Sequence, residues 1–191
     1  MMRTLVFLLL LGAPALTVAQ SAPPKTGAPE SFSGLVQAKN ATGGVAATLD
    51  LRVARYTPEF DRKSMEEALR LGGYPRFLTT LRNSPEVGQL VLAGSQPYAI
   101  RYAREKVEGA GRTIVLITDK PVFFLGSGQA KPTPKEGYEV AVVEITMDGA
   151  GQGKGIMAAA ARVRPDGAGG VLLDDYADAP ITVTKLTRKP S

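Results

Sequence analysis

The sequence has 191 residues, 44% of them apolar, and 23 Lys+Arg against 18 Asp+Glu, for a formal net charge of +5. Such a length and composition suit one ordinary globular domain. It contains no histidine, cysteine or tryptophan, which excludes Ser-His-Asp and Cys-His catalysis, zinc or haem held by His or Cys, and every disulfide.

The chain opens with Arg3, an apolar run from Leu5 to Leu11, the breakers Gly12 and Pro14, and the small residues Thr17 and Ala19. This is the pattern of a cleavable signal peptide over residues 1–19. A membrane span needs about 20 apolar residues, and this run stops well short. The expectation is an exported protein, periplasmic or secreted, with no stable membrane span after cleavage. Residues 20–31, rich in proline and small side chains, read as a disordered lead-in. One β-rich domain is expected over 32–188, with 189–191 as a tail.

Within the domain, residues 45–56 alternate apolar and polar side chains and read as a strand, with residues 32–38 as its partner across a turn at Asn40 to Gly44. Pro58 ends the second strand. Asp61 is placed to cap a helix running to Leu71, which Gly72 and Gly73 stop; Pro75 opens a second short helix through Leu81. Strand patterns return at 88–93, 97–107 and 112–118, with 121–125 as an edge strand and Gly126 to Gly137 as a loop. Residues 140–147 and 153–164 flank the turn pair Asp148-Gly149, and 171–174 with 180–187 make the last pair. The fold class is mainly β: an antiparallel β-barrel or sandwich of about eight to ten strands, with a short helical pair inserted after the second strand. The run Met157-Ala158-Ala159-Ala160-Ala161 is unusual for a sheet core. Its small side chains suit either close packing of a helix or a hollow in a barrel.

Candidate sites are few. Tyr98, Arg101 and Tyr102 place aromatic and basic groups on one strand and are the candidate ligand contacts; alternating tyrosines also serve as cross-strand packing pairs. Asp174, Asp175 and Asp178 offer carboxylates to a hard cation such as calcium, without the spacing of a helix-loop-helix calcium site. Glu144, alone among apolar neighbours, is the candidate acid or base of a carboxylate-based hydrolase. The glycine-rich stretch Gly149 to Gly155 resembles a phosphate loop, but Asp148 stands where its first glycine belongs and Gly155 where Ser or Thr belongs, so it reads as a hairpin. Lys185, Arg188 and Lys189 have no acidic neighbour in sequence and read as a solvated tail. No basic patch with interleaved aromatics speaks for nucleic acid, and no cofactor is expected.

The stretches Gly111 to Pro121, Val143 to Asp148 and Leu172 to Tyr176 resemble a family of uncharacterised secreted bacterial β-rich proteins. The resemblance implies export and a bacterial source, and carries no activity and no site residues. The strand count is similar to that of lipocalin-like barrels, whose Gly-x-Trp signature is missing here. The functional expectation is a non-catalytic exported domain that binds a small apolar molecule or an envelope protein. A carboxylate-based hydrolase of exported polymers and a calcium-dependent adhesion module are the alternatives.

Overall fold

The computed structural model describes residues 27–40, 43–123 and 135–190. The signal segment 1–19, residues 20–26 of the lead-in, residues 124 and 125 of the expected edge strand and most of the loop at 126–137 lie outside the described residues.

The elements run β1 (Glu30–Asn40), β2 (Gly43–Val53), α1 (Glu59–Asn83), β3 (Gly88–Leu92), β4 (Tyr98–Glu108), β5 (Gly111–Thr118), β6 (Val140–Met147), β7 (Gln152–Pro165), β8 (Val171–Tyr176) and β9 (Ile181–Lys189). All pairings are antiparallel. Neighbours follow the order β6-β5-β4-β3-β2-β1-β9-β7, and a β6–β7 pairing closes the ring. The molecule is thus an eight-stranded antiparallel barrel with β8 as an additional strand. β7 makes both closure and extra strand feasible. Its first half lies between β6 and β9, while beyond Ala161 it takes β8 as its neighbour.

Period-two alternation builds the interior. Phe32 and Val36 of β1, Leu49 and Leu51 of β2, Ile114 and Leu116 of β5, Val143 and Ile145 of β6, Met157 of β7 and Val183 of β9 all belong to one buried cluster along the barrel axis. Each of these side chains is exposed by 1% or less, so no water-sized space opens beside them. Burial of each such group stabilises the fold by about 1.5–3 kcal/mol.

A second cluster lies outside the barrel. Met65, Phe77, Leu78 and Leu81 of α1 cover Val115, Ile117, Val140, Val142, Ala158 and Ala161. The alanines of β7 therefore do serve close packing of a helix: Ala158 and Ala161 meet α1, while Ala159 turns inward. The expected helical pair is found as the two segments of α1, which break where expected at Gly73, whose φ of 67° and ψ of −170° are not helical. Asp61 does not cap it. The helix begins at Glu59 after Pro58 and no side chain caps it, so Asp61 sits in the first turn, where its charge favours the positive end of the helix dipole.

Two further expectations are corrected. Pro121 to Phe123 are not in a strand; Val122 N–H donates to Ala159 O, and its buried side chain joins the interior cluster. The expected tail is strand as far as Lys189, because β9 pairs with both β1 and β7 and closes the ring.

Candidate functional site

Tyr98, Arg101 and Tyr102 do not converge on one surface. A register shift between Ile100 and Tyr102 breaks the alternation of β4. Tyr98 packs against the interior cluster and its hydroxyl accepts the Phe123 N–H at 3.0 Å. Tyr102 faces outward under α1, where its hydroxyl accepts the Val171 N–H at 3.2 Å. Arg101 points elsewhere again. It donates to Ser84 O at 2.9 Å and pairs with Asp119 at 3.3 Å, which ties the C-terminal end of α1 to the barrel. The bulge is not visible in the composition of β4, since Tyr98, Ile100 and Tyr102 fit plain alternation.

The acidic candidates are scattered by use. Asp175 accepts a hydrogen bond from Tyr138 Oη at 2.6 Å, and this bond holds its carboxyl below the usual range. The Lys135 ammonium and the Arg162 guanidinium lie 5.0 and 4.8 Å from the Tyr138 ring centre. Asp174 and Asp178 are exposed. Among the described residues, no group of three Asp or Glu is arranged to hold a metal ion.

Glu144 lies on the outer face of β6 and accepts the Leu173 N–H at 3.3 Å. With Tyr102 on Val171, it satisfies the backbone of β8 along the side that has no neighbouring strand. Gly149 to Gly155 form the β6–β7 hairpin, whose turn is held by Asp148 accepting from Ala150 N and Gln152 N at 2.9 and 2.8 Å.

The densest polar constellation was not among the sequence candidates. At the barrel end formed by the start of β1 and the start of β5, Arg112 donates to Glu30 at 2.9 and 2.7 Å and also binds Glu105. Tyr56 donates to Glu30, and Arg188 Nε lies 2.9 Å from Glu30 Oε2. The side chains of Glu30 and Arg112 are 0% and 2% exposed. The Arg112 guanidinium also sits 5.6 Å from the Phe32 ring centre. Burial, first, and the bond to Glu30, second, push the Tyr56 hydroxyl well above its ordinary pKa, so it stays a donor. A signal for this cluster did exist. Glu30 stands two residues before inward Phe32, and Arg112 two before inward Ile114, so each charge falls on the inner side of its strand.

Just outside this closed end is a groove of about 390 Å³, lined by Pro29, Glu30, Ser31, Arg52, Lys189 and Pro190. That size falls within the range of about 300–1,000 Å³ common for small-ligand sites. Ser31 is directly opposite Lys189 on one side and Arg52 on the other, which sets the three side chains in one cross-strand row. Lys189 Nζ bonds Asp50 at 2.7 Å, and this bond lowers the pKa of Asp50.

No protein family, curated protein or solved structure gives a match to this chain. No helix among the described residues is long and apolar enough to cross a membrane.

Proposed function

We propose that this chain is an exported, non-catalytic binding domain that engages an envelope component through its outer surface. The observation that carries this reading is the packing of the barrel axis. Phe32, Leu49, Leu51, Leu116, Val143 and Met157 occupy it and are 0–1% exposed, so an apolar cargo would have to displace well-packed core side chains, at about 2–5 kcal/mol for each large one lost. The groups best suited to acid or base work are already engaged: Glu144 by a backbone amide, Glu30 and Glu105 by Arg112. An exported destination rests on the leader pattern of residues 1–19. The rim and the outer strand faces are then where recognition takes place.

The test has two arms. Native mass spectrometry of protein purified from its host is expected to give the bare polypeptide mass; a stoichiometric apolar adduct would overturn the outer-surface reading. Sedimentation with isolated envelopes is expected to carry the protein into the pellet at low salt; protein left wholly in the supernatant would refute envelope binding.

A further inference from the structure

We infer that the groove at the closed end of the barrel is a binding site for a phosphate-type oxyanion, with Arg52, Lys189 and Ser31 as its donors. This deepens the proposed function and rests on it, because it names the chemistry that the envelope component presents.

The argument starts from the row Lys189–Ser31–Arg52. Register places the three side chains on the outer face of adjacent strands β9, β1 and β2, about 5 Å apart at Cβ. Two cations therefore flank a hydroxyl in a groove that Pro29 and Pro190 also line. Among the described residues Arg52 forms no ion pair, although it carries a full guanidinium fork. Lys189 gives one of its donors to Asp50 and keeps two.

The local charge favours an anion. Beneath the row, Arg112 and Arg188 are matched by Glu30 and Glu105. At the rim, Lys189 bonds Asp50 and the Arg52 guanidinium is left as one positive charge over, since the carboxylate that lines the groove, Glu30, is already paired with Arg112 and Arg188. The shape of the donor set narrows the ligand further. A carboxylate has two oxygens and is satisfied by one guanidinium fork. A fork, an ammonium and a hydroxyl converging from three strands suit a group with three free oxygens, which is a phosphate monoester or a similar tetrahedral oxyanion. Asp50 is the opposing charge, so the site has a built-in repulsive element whose removal has a defined sign.

The test uses the purified protein and two probes at low ionic strength: glycerol phosphate, followed by calorimetry, and vesicles of phosphatidylcholine with or without phosphatidic acid, whose headgroup is a phosphate monoester, followed by sedimentation. The expected result is saturable binding that weakens about tenfold or more in Arg52→Gln, strengthens in Asp50→Asn and is unchanged in Lys154→Gln, a lysine on a different groove. Arg52 is exposed, and a thermal melt of each variant checks that the fold is retained. Arg52-dependent binding of glycerol phosphate assigns the site to a soluble or sugar-linked phosphate. Arg52-dependent binding of the anionic vesicles alone assigns it to a lipid headgroup. Binding that is equal in wild type and Arg52→Gln, or that falls as much in Lys154→Gln, overturns the inference. If the Arg52→Gln protein still pellets with envelopes, the outer-surface reading survives while this site does not.

Discussion

Arg112→Met removes the centre of the buried ion cluster while keeping an unbranched apolar stem in its place. The change deletes two hydrogen bonds to Glu30, at 2.9 and 2.7 Å, together with the contacts to Glu105 and the Phe32 ring. Glu30, with a fully buried side chain, is left with the Tyr56 hydroxyl and the nearby Arg188. Breaking a buried pair by removing one partner costs about 3–5 kcal/mol. Since Arg188 continues to offset part of the Glu30 charge, the lower end applies, about 3 kcal/mol, or a fall in Tm of roughly 6–12 °C for a domain of this size. The double variant Glu30→Gln, Arg112→Met removes the stranded charge, and it is expected to recover at least half of that loss. Thermal and urea melts of the four proteins in the cycle measure both values. Arg112→Met within about 1 kcal/mol of wild type, or a double variant whose loss equals the sum of the singles, would refute the idea that paired charge holds this end of the barrel.

Three other outcomes follow from the same contacts. Glu144→Gln is expected to melt like wild type because its amide oxygen still accepts the Leu173 N–H, whereas Glu144→Ala orphans that donor and costs about 1–3 kcal/mol; equal losses in both would point to the charge instead. Gly73→Ala is expected to cost about 1–3 kcal/mol, since the φ and ψ of this residue lie in a region open to glycine; a more stable Gly73→Ala protein would mean that the break in α1 is not required. With pH, the carboxyls of Asp50 and Asp175, both held low by hydrogen bonds, contribute stability that is complete above about pH 4 and fades as pH drops through their folded values. Tyr56, held high, contributes stability that is complete below about pH 10 and fades as pH rises beyond it. Urea midpoints are thus expected to be level near neutrality and to fall on both sides; a midpoint that climbs in acid or alkali contradicts these assignments.

β1 and β2 were legible because each buries mainly one face, and the expected bounds fall within two residues of the ends of β1 and three of those of β2, whereas β5 and β6, buried on both faces, were marked by apolar runs between turn residues. The break in the helix was legible too, from Gly72, Gly73 and Pro75. Closure was not, because it depends on how β7 divides its two edges among β6, β8 and β9, and nothing in the composition of β7 states that division. The candidate site fared less well. Tyr98, Arg101 and Tyr102 were grouped by a spacing that one bulge undoes. Arg112 and Glu30 are 82 positions apart; Glu30 and Ser31, expected in the disordered lead-in, instead begin β1, and the meeting of Glu30 with Arg112 required the ring. Arg188 and Lys189 looked like a solvated tail for the same reason, since the partners that claim them, Glu30 and Asp50, lie on the first two strands.

The pairing of β9 with β1 joins the last strand to the first, and this has a consequence for how the chain folds. While a ribosome is still making the segment that becomes β9, β1 and β7 each have an edge with no partner, and the ring cannot close. The β1–β9 pairing spans nearly the whole chain, and long-range pairing of this kind forms slowly. Glu30 likewise waits for Arg112 and Arg188 before its charge is compensated. A polypeptide of this design keeps its ring open until β9 is available, which defers the cooperative closing step until the segment from β1 to β9 has been made.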